Sequence, residues 1–302
     1  MSEINFNEQR PEVPVVIIER DDDEQYGDIS VRPVGRKPKW LSRLLLLAAV
    51  IAVVIGVLAA YRLWRYYYCF GVSVSVSPSE NIAKLKAPLV EETPEVVKTS
   101  DNVQDVALDF YAIHGLQATL SREEPDTADA SVFLYCRSAD HKPDSTYIGS
   151  LVIDGEKMEV DRSRLGYMGM ADGRMVIGVS RSEKVKDYVA SRGGSFFRQF
   201  ILVSDGVIPP RFYLHGKVER RAIGRIGDTL YYIATRNKET LWGFADALRE
   251  YGFIDAIYIT GGTDYCYYRS ADGQRHDIGD AADYPHTKWQ GVIPWLVFRK
   301  ME

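Results

Sequence analysis

The longest hydrophobic segment of the chain lies near its N-terminus. Leu44–Tyr61 is a run of 18 uncharged, predominantly apolar residues, and Trp40 and Leu63 extend it on both sides. A helix of this length crosses the hydrocarbon core of a bilayer. Because a long polar stretch precedes the run, it does not resemble a cleavable signal peptide, which begins closer to the N-terminus. We therefore predict an uncleaved transmembrane helix over residues 41–65.

The charges that flank this segment predict its orientation. Four basic residues precede it and two follow it closely, namely Arg36, Lys37, Lys39 and Arg43, and then Arg62 and Arg65. The side of a span that is richer in Lys and Arg usually remains in the cytoplasm. The sequence therefore predicts a single-pass protein of the cytoplasmic (inner) membrane. Its N-terminus would be cytoplasmic, and its C-terminal domain would be periplasmic or extracellular.

Polar segments lie on either side of the predicted span. Residues 1–40 show little apolar periodicity. Residues 1–28 carry a net charge of −7, whereas the whole chain has a net charge of −5. We predict a disordered acidic cytoplasmic tail there. Residues 66–98, with prolines at 78, 88 and 94, are predicted to form a stalk or linker with one edge strand. The remaining chain is close to neutral, which gives no reason to expect a nucleic-acid partner.

The pattern over residues 99–302 is typical of one α+β domain. Only Glu183–Arg192 and Thr240–Tyr251 have clear helical periodicity, and Asn102–Tyr111 fits a helix or a strand. Asp-Gly pairs separate short apolar runs at Val132–Tyr135, Ile148–Ile153, Met175–Val179, Phe200–Val203, Arg211–Leu214, Thr229–Thr235, Phe253–Ile259 and Val292–Phe298. We predict a twisted mixed, partly antiparallel sheet with a few helices.

The segment Arg220–Arg269 is the most informative about function. It reads as a strand (Thr229–Thr235), a helix (Thr240–Tyr251) that Gly252 ends, and a buried strand (Phe253–Ile259). A loop with two adjacent glycines follows at residues 260–264. A glycine pair at the end of a strand leaves room for a ligand to approach the backbone N–H groups.

This segment resembles the phosphodiester glycosidase domain family. The matching positions are the R-x-A-I-G element of Arg220, Ala222, Ile223 and Gly224, then Leu248, Gly252, Asp255, Ala256 and Ile257, and finally Gly261 and Gly262. Weaker matches are Gly149–Gly155 and Phe200–Gly206, so the likeness covers roughly residues 100–300. Two family features differ. Thr260 occupies the position of the loop acid, and Phe133–Arg137 replaces an asparagine-glycine signature.

The resemblance implies a hydrolase of glycosyl phosphodiesters or related envelope glycans. In family register Arg220 would bind the phosphate, because a guanidinium forks onto two oxygens, together with Gly261, Gly262 and Thr263. Thr260 and Asp264 would be the catalytic residues. A hydroxyl cannot replace a carboxylate, so Asp264 would have to supply the acid. The alternative is a non-catalytic domain of the same fold that binds a glycan or an envelope partner.

Neither cofactors nor metals are expected. The sequence has no nucleotide-binding loop and no zinc-type spacing, and the acidic stretch around His276 and Asp277 fits a solvated loop better than a cation site. The three cysteines are Cys69, Cys136 and Cys266. Three separate thiols and a Cys136–Cys266 bridge are both compatible with this number.

Overall fold

A computed structural model describes residues 39–68, 77–89, 92–138, 147, 149–159, 164–210, 212, 214–262, 264–279 and 294–301. Several predictions fall outside these residues: the acidic tail up to residue 38, Cys69, Thr263, and the acidic stretch from residue 280.

The predicted apolar segment is helical. Helix α1 covers Lys39–Tyr68, and within it Trp40–Leu63 has a mean hydropathy of 2.9 over 24 residues. None of the window is buried against the rest of the chain. Among the residues that the structure describes, one helix is therefore long and apolar enough to cross a membrane.

The residues that follow α1 form a folded unit of strands with three helices. The helices are α2 (Pro78–Leu85), α3 (Lys184–Ser191) and α4 (Leu241–Tyr251). The strands are β1 (Glu95–Val103), β2 (Val106–His114), β3 (Leu116–Ser121), β4 (Val132–Arg137), β5 (Leu151–Ile153), β6 (Glu156–Glu159), β7 (Gly166–Ala171), β8 (Arg174–Val179), β9 (Ser195–Gln199), β10 (Ile201–Val203), β11 (Arg220–Ile226), β12 (Thr229–Thr235), β13 (Asp255–Gly261), β14 (Cys266–Arg269), β15 (Arg275–Ile278) and β16 (Trp295–Lys300).

The strands form three sheets, which confirms the α+β class. The first has the order β1-β2-β12-β11-β13-β10, the second β15-β14-β4-β16-β3, and the third β6-β5-β9-β7-β8. All pairings between the described strands are antiparallel. Apolar residues from all three sheets meet in the largest core cluster.

Helix α4 packs on the face of the first sheet that points away from the largest core cluster. It begins and ends as its sequence predicts. The Thr240 hydroxyl accepts a hydrogen bond from the Gly243 N–H at 2.9 Å, which caps the N-terminus. Gly252 ends the helix in the left-handed conformation, with φ of 108°. Phe244 and Leu248 of the helix pack into the cluster that contains Phe110.

Two regions differ from the sequence-based prediction. The ambiguous segment Asn102–Tyr111 contains the turn of a hairpin between β1 and β2, because Gln104 and Asp105 both have positive φ, as a two-residue turn requires. The folded unit also begins upstream of the predicted boundary at residue 99. Asn81 and Leu85 of α2 are buried, and the Asn81 side-chain N–H donates to the Tyr167 hydroxyl at 2.6 Å.

Candidate functional site

The first strand of the predicted site pairs with the strand that leads into the glycine loop. β11 and β13 are antiparallel neighbours, and Arg220, at the start of β11, is the register partner of Gly261, at the end of β13. This pairing places the start of β11 and the end of β13 at the same end of the sheet. A register shift follows Arg220, so that Ala222 pairs with Tyr258.

Asp264, the last residue of the loop, lies in a buried polar cluster with Thr260, Arg137 and Arg221, the Asp264 cluster. Only 3% of its surface is exposed. The Tyr265 N–H donates to its Oδ1 at 2.9 Å, and the Thr260 hydroxyl donates to its Oδ2. The Arg137 Nε lies 3.5 Å from the same Oδ1. The structure thus brings together Thr260 and Asp264, the two residues for which a catalytic role was predicted.

Burial determines the protonation behaviour of this carboxyl group. Loss of solvation raises the pKa of Asp264 above its usual range, while the guanidinium groups of Arg221 and Arg137 and the Thr260 hydroxyl act in the opposite direction. Carboxyl groups with raised pKa values next to cations are common where a protein performs proton transfer. The Thr260 hydroxyl thus contacts the carboxyl group of the residue four positions later in the chain.

Arg221 is the β11 arginine that holds the loop. Its Nη1 donates to the Gly262 carbonyl at 2.7 Å, and its Nη2 lies 3.6 Å from the Glu219 carboxylate. The residue is 5% exposed. Its Nε is buried and has no hydrogen-bond partner among the described residues. A buried N–H of a cation without an acceptor is costly, so the Arg221 Nε is an unsatisfied donor within this cluster.

Arg220 lies on the other face of β11. Its guanidinium donates to the Gly216 carbonyl at 2.5 Å, to the Glu239 carbonyl at 3.0 Å and to the Tyr258 hydroxyl at 3.3 Å. These contacts join the strand to its neighbouring segments and occupy all three nitrogens. Neighbouring residues of a strand point to opposite faces. The resemblance assigned the phosphate contact to Arg220. In the structure it is Arg221 that lies at the Asp264 cluster.

The structure gives a different reason for a glycine at each of the two loop positions. A Cβ at Gly261 would lie 2.1 Å from the Tyr258 hydroxyl oxygen, so a larger residue there would require the tyrosine side chain to move. Gly262 has φ of 84° and its N–H donates to the Glu219 carbonyl at 2.9 Å. The close approach at Gly261 is therefore to the protein's own tyrosine.

The cluster also contains residues that the sequence did not indicate. Arg137 comes from β4 in the second sheet, and its guanidinium carbon lies 4.8 Å from the centre of the Trp295 ring. The Tyr111 hydroxyl is buried without a hydrogen-bond partner among the described residues, and the Tyr232 hydroxyl is buried beside the Cys266 thiol. The sequence signal for Arg137 is its position at the end of the apolar run FLYCR. A charge buried in such a run requires a partner of opposite charge or a hydrogen-bond acceptor.

Other features of the described residues lie apart from this cluster. A cleft of about 520 Å³ is lined by residues of α2, β8 and the β11–β12 hairpin, including Lys84, Arg174 and Asp228, and by none of the predicted site residues. Within the described residues, no group of three or more His, Cys, Asp or Glu side chains could hold a metal ion.

Comparison with known proteins gives distant structural similarity. No family model matches the chain, and no curated protein matches it. A solved structure of the zebrafish N-acetylglucosamine-1-phosphodiester alpha-N-acetylglucosaminidase catalytic domain, auto-inhibited by its pro-peptide, is similar with 13% identity and a TM-score of 0.49. That similarity covers 72% of this chain and 86% of the other. A hypothetical protein from Synechocystis is similar with 9% identity and a TM-score of 0.40, over 68% of this chain and 62% of the other.

Proposed function

We propose that this protein is a membrane-anchored hydrolase of glycosyl phosphodiesters, with Asp264 as its catalytic acid–base residue. The observation that carries the proposal is a buried carboxyl group with a raised pKa, hydrogen-bonded by Thr260 and close to Arg137 and Arg221. A carboxyl group whose pKa is raised is a stronger base than an exposed aspartate, so it accepts a proton more readily.

The chemistry of a glycosyl phosphodiester fits this set of side chains. In hydrolysis, water attacks the anomeric carbon, the bond from that carbon to the phosphate oxygen breaks, and a phosphate monoester leaves. Ionised Asp264 would accept the proton of the attacking water. The guanidinium groups would stabilise the charge on the departing phosphate, and we assign to Arg221 the phosphate contact that the family register gives to Arg220. Gly261, Gly262 and Thr263 remain candidates for contacts between the loop and the substrate.

The decisive experiment measures turnover of a panel of sugar-1-phosphodiesters by the full-length protein in detergent. We expect release of free sugar and phosphate monoester. Asp264→Asn should lower kcat about a hundredfold or more while binding persists, because the amide cannot accept a proton. If Asp264→Asn leaves a measured rate unchanged, Asp264 is not the catalytic residue.

The adjacent arginines provide a matched pair of variants. Arg221→Gln should weaken substrate binding about tenfold or more, in line with the loss of one charge-assisted hydrogen bond. Arg220→Gln removes the same charge one residue away and should lower thermal stability more than substrate affinity. The opposite result would assign the phosphate contact to Arg220, as the family register predicts. Circular dichroism of both variants must first show that they are folded.

A specific observation favours a second candidate, a non-catalytic domain that binds a glycan or sugar phosphate. Thr260 occupies the position of the family acid, and the Asp264 side chain is only 3% exposed. In this case the wild-type protein would bind sugar phosphodiesters without turnover. Both Asp264→Asn and the wild type would then give the same zero rate, with similar affinities.

A further inference from the structure

Two of the cysteines face each other across a pair of neighbouring strands. Cys136 on β4 and Cys266 on β14 are direct register partners in an antiparallel pairing. Such partners have Cα atoms about 4.5–5.5 Å apart and side chains on the same face. Disulfides span Cα separations of about 4.4–6.8 Å. Both cysteines are free thiols in this structure, and the strand register satisfies the first geometric condition for a bridge.

The surroundings of the two sulfur atoms isolate them from other reactions. Both residues are at most 1% exposed, and both belong to the largest core cluster. Burial and the neighbouring thiol raise the pKa of Cys136, and burial raises the pKa of Cys266. Since the thiolate is the reactive form, neither cysteine reacts readily once the domain is folded. Any covalent bond between them therefore has to form before the core closes.

We propose that Cys136 and Cys266 form a cross-strand disulfide when the chain folds in an oxidising compartment. The oxidant is an external disulfide, either of a small molecule or of a protein. One cysteine thiolate attacks it and forms a mixed disulfide, releasing the first external thiol. The second cysteine thiolate then attacks the mixed disulfide and releases the second external thiol. The two cysteines lose two electrons and two protons, which the external disulfide gains.

The bridge would join strands that carry the Asp264 cluster. Arg137 directly follows Cys136 on β4, and Asp264 precedes Cys266 by two residues. A cross-link would fix the spacing of β4 and β14 and restrict the unfolded chain by closing a long loop between residues 136 and 266. This inference does not depend on the proposed hydrolysis, because its test measures thiols and stability rather than turnover.

The test uses the full-length protein with Cys69→Ser as background, so that residues 136 and 266 supply the remaining thiols. The denatured, reduced protein is refolded in detergent with a mixture of oxidised and reduced glutathione, then denatured and alkylated with N-ethylmaleimide. We expect mass spectrometry to find neither cysteine alkylated and a peptide pair linked through residues 136 and 266. The melting temperature should exceed that of the reduced protein by an amount on the order of 10 °C.

Matched variants exclude other origins of the thiol loss. Cys136→Ser and Cys266→Ser in the same background should each leave one alkylatable thiol and remove the redox dependence of the melting temperature. The proposal is overturned if both thiols of the refolded protein with intact Cys136 and Cys266 are alkylated. It is also overturned if oxidation yields only mixed disulfides with glutathione. Both readouts apply to the unmutated pair, so misfolding of a serine variant would not obscure the result.

Discussion

At the scale of single residues, the raised pKa of Asp264 predicts how stability depends on pH. Burial gives its carboxyl group a higher pKa in the folded protein than in the unfolded chain. The protonated form therefore contributes stability, which is complete below the unfolded pKa of about 4 and lost as the pH rises through the folded pKa. Asp264→Asn lacks this titration. The stability of this variant relative to the wild type should increase as the pH rises from the unfolded pKa to the folded pKa of Asp264. Urea unfolding between about pH 4 and pH 8 measures this difference.

Asp172 is a control for this prediction, because its pKa is lowered in the folded protein whereas that of Asp264 is raised. Hydrogen bonds from the Arg192 guanidinium lower the pKa of Asp172, so its stabilising contribution is present above the unfolded pKa and lost as the pH falls through the folded pKa. Asp172 has a positive φ that asparagine tolerates. Asp172→Asn should thus lose relative stability as the pH rises from acid, by a small amount because the pair is exposed. A difference between wild type and Asp264→Asn that is constant with pH would contradict the raised pKa.

At the scale of elements, the end of α4 depends on one glycine. Gly252 has φ of 108°, and a Cβ there would have no neighbour within 4 Å, so any cost of substitution comes from the backbone conformation alone. We expect Gly252→Val to lower the free energy of unfolding by roughly 1 kcal/mol or more. The matched control is Gly216→Val, where the added group also meets open space but φ is not positive. Equal losses in urea unfolding would show that the left-handed cap is unimportant.

The same scale shows what could be predicted from the sequence. The elements β12, α4 and β13 were predictable because each has a strong local signal: β-branched and aromatic residues, helical periodicity, and a terminal glycine. Strands such as β14 and β15 were not, because they are short and their pairing depends on distant partners. Neighbouring residues of a strand point to opposite faces, so Arg220 and Arg221 oppose each other, but only the packing of the sheets decides which of them faces Asp264. The Cys136–Cys266 register is likewise non-local, so the sequence left the pairing open.

At the scale of the whole molecule, the flanking charges predict which side of the membrane each end occupies. The apolar helix Trp40–Leu63 is long enough to cross a bilayer, and the basic residues are concentrated on its N-terminal side. We expect the N-terminus inside and the C-terminus outside. In intact spheroplasts, external protease should remove a tag placed after Glu302 and spare a tag placed before Met1. After permeabilisation with detergent, both tags should be lost.

Charge variants test the cause of this orientation. Replacement of Arg36, Lys37, Lys39 and Arg43 by Gln leaves Arg62 and Arg65 as the closest basic residues. The bias then favours the opposite orientation, so a fraction of the molecules should protect the C-terminal tag. Replacement of Arg62 and Arg65 by Gln is the matched control, and it should leave the orientation of the wild type unchanged. A protected C-terminal tag together with an accessible N-terminal tag in the wild type would reverse the predicted topology and place the Asp264 cluster in the cytoplasm, away from envelope glycans.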